Sequence, residues 1–64
     1  MTPITPREKQ VLVLLSKGYT DKTIAEKLEM SPNTARTHRQ KLRAKFHVSN
    51  TALLIKMAIK KGFI

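Results

Sequence analysis

Between Ser31 and Phe46 the chain reads SPNTARTHRQKLRAKF, in which five of sixteen positions are Lys or Arg and none is a carboxylate. Arg36, Thr37 and Gln40 put guanidinium, hydroxyl and amide groups close together, a combination that bonds base edges as well as phosphate oxygens. Arg36 can fork onto guanine O6 and N7, or onto a phosphate. His38 lies in the same run, but no second His, Cys or carboxylate follows it at metal spacing and His47 is nine residues on. It is expected to pack or to face a phosphate. A Gly-rich phosphate loop, a metal-binding pair and a nucleophile with a base and an orienter are all missing, so the pattern is that of a binding module rather than an enzyme, with no cofactor.

The distribution of charge supports the same reading. All four acids (Glu8, Asp21, Glu26, Glu29) fall in residues 1–29 beside five bases, a net +1; from Met30 onward there are eight bases and no acid, a net +8. A half-chain of that kind attracts polyanions, either nucleic acid or an anionic membrane surface. With 64 residues there is room for one domain and one modest core, since a chain of this size buries only roughly 60% of its unfolded surface. Cysteine is absent, which removes disulfides and thiolate metal sites. No secretion signal or bilayer-spanning run is present.

Four helices are expected to position these groups, over about 6–17, 21–29, 32–46 and 50–61, in an all-α fold occupying residues 1–64. Thr5, Pro6 and Glu8 form a Thr-Pro-x-Glu start with a capping box. Val11, Leu12, Leu14 and Leu15 make the first buried stripe and Gly18 ends the helix. Thr20 can cap the second helix, with Asp21 at its positive end and Ile24, Ala25 and Leu28 on one face. Ser31 and Pro32 repeat the cap-then-proline device. Stepping about 100° per residue places Ala35, Leu42 and Phe46 on a narrow core stripe of the third helix, with Asn33, Arg36, Thr37, Gln40, Arg43 and Ala44 opposite. Thr34, Lys41 and Lys45 lie on one flank. Arg39, at the core margin, is expected to pack its stem and bond a carboxylate such as Glu8. His47 stands where a left-handed helix stop is needed, and Ser49 or Asn50 caps the fourth helix. That helix, TALLIKMAIKK, is apolar over most of its circumference, more than one small core can absorb, so it either packs deep or offers a face to a partner.

Two short helices joined by a tight turn, the second carrying exposed Arg, Thr and Gln, form the arrangement that sets a helix into a major groove. The wording of the chain fits as well. Thr5-Pro6-Arg7-Glu8 with Val11-Leu12, Gly18, Ile24-Ala25 with Leu28, Ser31 and Thr34 ahead of His38, and the closing Gly62-Phe63-Ile64 resemble the LuxR/GerE-type DNA-binding domain of bacterial transcription regulators, also found in NarL/FixJ-like response regulators. The resemblance implies a tetrahelical helix-turn-helix domain that binds double-stranded DNA in the bacterial cytoplasm, at the nucleoid, with its third helix in the major groove. It implies base reading by Arg36, Thr37 and Gln40, and phosphate contacts from Thr20, Lys22, Ser31, Thr34, Lys41 and Arg43. It gives Glu8 a structural role joining the first helix to the basic helix. The fourth helix is then the contact of a weak homodimer through Leu53, Leu54, Met57 and Lys61, and RNA polymerase is a further partner it allows. The chain departs from the family pattern at Ala35, at Phe46-His47 and at Leu54, where a Val or Ile, a Leu-Gly and an Ala are usual.

Two other readings compete. A sigma-factor region-four promoter-binding module shares the helix-turn-helix lettering, but an apolar fourth helix after the basic one speaks against it. A basic membrane-surface module is motivated by ALLIKMAI beside Lys60 and Lys61, and three capped helices sharing a core speak against that.

Overall fold

A computed structural model describes residues 3–64 and contains α1 (Pro6–Ser16), α2 (Asp21–Leu28), α3 (Pro32–Phe46) and α4 (Thr51–Lys60). Residues 1 and 2 of the expected domain lie outside the described residues. Every helix starts as its lettering predicts: the side-chain oxygens of Thr5, Thr20, Ser31 and Asn50 each accept the backbone N–H three residues on. At α1 the box is reciprocal, with Glu8 Oε1 accepting from Thr5 N at 2.8 Å. The expected boundaries run one residue long at Lys17, Glu29, Asn50 and Lys61, each of which is a cap.

The helix ends are equally local. Gly18 takes φ +87°, letting Tyr19 N–H bond Leu14 O and Gly18 N–H bond Leu15 O, a Schellman closure. Glu29 and His47 take the left-handed conformation at φ 55° and 56° without being glycine. In both places the next residue closes the end: Met30 N–H bonds Ala25 O and Val48 N–H bonds Arg43 O.

Packing draws on all four helices. Val11, Leu12 and Leu15 of α1, Ile24 and Ala25 of α2, Ala35, Leu42 and Phe46 of α3, and Leu54 and Ala58 of α4 form one core. Both α1 and α3 pack against each of the other helices. The Phe46 ring meets Phe63 edge to face at 5.5 Å, tying the last residues back onto α3. Leu14, expected in the buried stripe, is only partly buried.

Leu54 corrects an expectation. It is fully buried, with Ala58 one turn on, so it is core and not part of a dimer surface. Leu53 and Ile59 are the large apolar residues of α4 left exposed, at 42% and 58%. Because half of its apolar circumference faces the core, α4 carries much less surplus apolar surface than its lettering implied. Among the described residues no helix is long and apolar enough to cross a membrane.

A charged tie fixes α1 to α3. Glu8 is 2% exposed and its carboxylate receives Lys45 Nζ, which also donates to Pro3 O at 3.0 Å. Burial alone would push the Glu8 carboxyl up. The Lys45 hydrogen bond, the bonds from Thr5 and the Lys45 charge outweigh it and hold the group below its ordinary value of 4.5. Of the three residues that the wheel places on this flank of α3, Lys45 therefore turns inward to Glu8, while Thr34 and Lys41 are exposed.

Two outcomes follow from this packing. Leu54→Ala should cost about 2–5 kcal/mol of unfolding free energy, whereas Leu53→Ala should stay within about 0.5 kcal/mol, as read by urea denaturation. Glu8→Gln should cost about 2 kcal/mol at neutral pH. A carboxyl whose pKa is lowered by folding stabilises above the unfolded value and loses that contribution as pH falls through the folded one. The gap between wild type and Glu8→Gln should accordingly shrink when the same denaturation is repeated well below pH 4.5.

Candidate nucleic-acid interface

The interface is built from the α2–turn–α3 unit. Ala25 is 2% exposed and presents only a methyl group at the crossing, so the two helices approach closely. Ile24, Ala35 and Leu42 lock the pair from beneath, with Leu28 and Met30 partly buried beside them. Seated this way, α3 leaves Asn33, Thr34, Arg36, Thr37, Gln40, Lys41 and Ala44 exposed. Arg36, Thr37 and Gln40 thus share one outward face, as the helical wheel predicts.

Their hydrogen bonding limits what each can do. Gln40, Lys41 and Lys22 make no side-chain hydrogen bond or ion pair among the described residues, so all their donors are available to a ligand. Thr37 Oγ1 donates to Asn33 O at 2.9 Å. It can still accept a bond and present its methyl group, but its proton is occupied. At the start of α3, Ser31 Oγ accepts from Thr34 N and lies 2.9 Å from Thr34 Oγ1. Only one of the two hydroxyl protons is used between them, and the other can go to a phosphate beside the positive helix end. At α2, Thr20 donates its proton to Thr23 Oγ1 at 3.3 Å. The free hydroxyl proton there belongs to Thr23, a residue that sequence reasoning passed over.

Three basic side chains of α3 have partners that the wheel alone does not assign; Arg39 bonds a carboxylate as expected, but a different one. Arg39 does not reach Glu8; its Nη2 bonds Asp21 Oδ2 at 2.9 Å. Arg39 and Lys45 are six residues apart, about 9 Å along the axis, and at those two heights α3 crosses different partners: the start of α2 and the start of α1. Arg36 Nε lies 3.9 Å from the same Asp21 oxygen with its side chain 57% exposed. Arg43 is half-buried and gives Nη1 to Ser49 O at 3.3 Å, holding the α3–α4 loop, so a phosphate contact would use its other amino group. His38 is half-buried as well, its Nδ1 without a partner.

On α4 Met57 is half-buried, and Lys61 at its C-terminal cap is exposed, while Ile59, the most exposed large apolar residue of the helix, was not among the expected contacts. The hydrophobic run covers so much of that helix that periodicity alone does not select its outer face. The signal that could have found it is the Leu54/Ala58 spacing, which puts Ile59 well off the buried line. A separate apolar concavity of about 500 Å³ is lined by Pro6, Lys9, Gln10, Val13, Leu14 and Leu28, none of them from α3.

Comparison with known proteins places this geometry. The family described as "Bacterial regulatory proteins, luxR family" matches residues 2–58. Transcriptional regulatory protein MctR of Rhizobium johnstonii is 42% identical over 62 residues, 97% of this chain and 29% of MctR. Transcriptional regulatory protein FixJ of Rhizobium meliloti is 37% identical over 60 residues, 94% of this chain and 29% of FixJ. The chain spans about 29% of the length of these relatives. Among solved structures, the transcription factor GerE superposes with a TM-score of 0.91 at 28% identity, covering 98% of this chain and 94% of GerE. VqmA bound to DPO gives 0.88 at 37% identity, covering 94% of this chain and 30% of VqmA. A tetrahelical fold, a basic α3 with a bare polar face and this match over most of the chain lead to one conclusion: the protein belongs to the luxR family of bacterial regulatory proteins, as a helix-turn-helix DNA-binding domain.

Proposed function

We propose that residues 1–64 act as one DNA-reading domain in which α3 lies in the major groove of double-stranded DNA. Arg36, Thr37 and Gln40 face the base edges, while Lys22, Lys41, the Ser31/Thr34 hydroxyl pair and the Thr20/Thr23 pair hold phosphates. The observation that carries this reading is the bare face of α3, where a guanidinium, a methyl-bearing acceptor and a free amide stand together on a rigidly seated helix. Arg36 suits guanine, Gln40 suits adenine and Thr37 suits a thymine methyl. Charge supplies affinity without sequence preference, because every phosphate is alike.

The proposed dimer contact on α4 is revised to Leu53 and Ile59, flanked by Met57 and Lys61. Two copies would sit on inverted half-sites about one helical turn apart. Acting at a promoter on the bacterial chromosome, such a dimer would meet RNA polymerase as a further partner.

Selection of bound sequences from a random duplex pool, followed by titration at rising salt, tests the reading. Enrichment of a defined sequence near physiological salt is expected; a pool that stays random would sink base-specific recognition. Gln40→Ala should change preference at one or two positions, costing about 1–3 kcal/mol on the enriched site. Lys41→Ala should weaken all sequences alike and reduce the log–log salt slope by about 0.9. Sedimentation that finds a monomer on an inverted-repeat duplex would remove the α4 contact.

A further inference from the structure

Asp21 is an acid set against a face otherwise built to attract anions. It opens α2, and Arg39 Nη2 bonds its Oδ2 at 2.9 Å, which fixes where the carboxylate points. The same oxygen lies 3.9 Å from Nε of Arg36. That separation is too long for a hydrogen bond but within reach of a charge attraction, and the Nε edge of the guanidinium is the side nearest the carboxylate. The two terminal amino groups of Arg36, the pair that can fork onto guanine, make no hydrogen bond to the protein among the described residues. Glu8, by contrast, is buried against Lys45, and no acid occurs from Met30 onward.

We infer that Asp21 is a specificity-determining positioning residue: it holds Arg36 by its Nε edge for a base and opposes the use of Arg36 on a phosphate. This rests on the proposed base-reading role of Arg36. The physical reason is the difference between the two ligands. A phosphate brought to Arg36 also approaches a fixed carboxylate of the same sign and is repelled, whatever the sequence. A guanine edge is neutral and escapes that repulsion, while its O6 and N7 still receive the aligned fork. Discrimination is a difference of affinities, so a group that weakens the wrong contact raises it as surely as one that strengthens the right contact. Arg39 serves this arrangement at second hand by anchoring the carboxylate.

The test uses fluorescence-anisotropy titrations of the chain on the duplex enriched by wild type and on a scrambled duplex of equal length, with thermal unfolding recorded for each variant. Asp21→Asn should tighten the scrambled duplex about tenfold and the enriched one by about threefold or less, lowering the ratio between them. In an Arg36→Ala background the same change should leave the ratio unmoved. Arg39→Met keeps the Asp21 charge but frees the carboxylate from its anchor, so it should lower the melting temperature and lower the ratio less than Asp21→Asn does. Asp21→Ser, a second neutral replacement, must behave as Asp21→Asn does, and it carries the test if the asparagine variant does not fold. Equal tightening of both duplexes, or a fall in ratio that persists without Arg36, would overturn the inference alone. A wild type that prefers no duplex would overturn the base-reading role of Arg36 and this inference with it.

Discussion

The seating of α3 on one narrow apolar stripe, Ala35, Leu42 and Phe46, is the constraint from which the rest of the structure follows. A helix meant to keep most of its surface bare for a ligand has little left with which to hold on, and a chain of 64 residues has little core to hold it with. Two charged ties supplement the stripe. Lys45 reaches Glu8 on α1 and Arg39 reaches Asp21 on α2, fixing the rotation of α3 at two heights along its axis. A rotation error of one residue would carry Arg36 or Gln40 off the outward face, so these ties matter for direction as much as for stability.

The basic run consequently divides by role. Of the five bases on α3, Lys45 and Arg39 are paired inward with acids and Arg43 steadies the loop to α4. Arg36 and Lys41 remain on the exposed side, joined by the uncharged Thr37 and Gln40. The +8 excess of the second half makes a long-range field for DNA. Proposed sequence recognition depends instead on a few side chains whose donors and acceptors are constrained by neighbours: Thr37 by Asn33, and Arg36 by Asp21.

What was legible in the sequence was local. Thr5-Pro6, Thr20, Ser31-Pro32 and Asn50 each satisfy a helix end within three residues, so lettering alone located the four helices to within a residue, and the wheel of α3 separated its core from its outer face. The pairing of Arg39 and Lys45 was not legible, because it depends on which helix α3 crosses at each height. Periodicity describes one helix at a time and carries no information about crossings. Leu54 illustrates a second limit. In a helix that is apolar on nearly every side, burial is decided by neighbours and not by pattern, so the lettering of α4 alone does not separate the inward Leu54 from the outward Ile59.

The most direct measurement is an NMR titration of the isotopically labelled chain with its enriched duplex, following backbone amides and the side-chain groups of Arg36 and Gln40. The largest shifts, and intermolecular contacts to base protons, are expected from Ser31 to Lys41 on the outward face of α3, with smaller changes at Thr20 and Lys22. Largest shifts around Lys9, Val13 and Leu28 at the α1–α2 concavity, with α3 unmoved, would contradict a recognition role for α3.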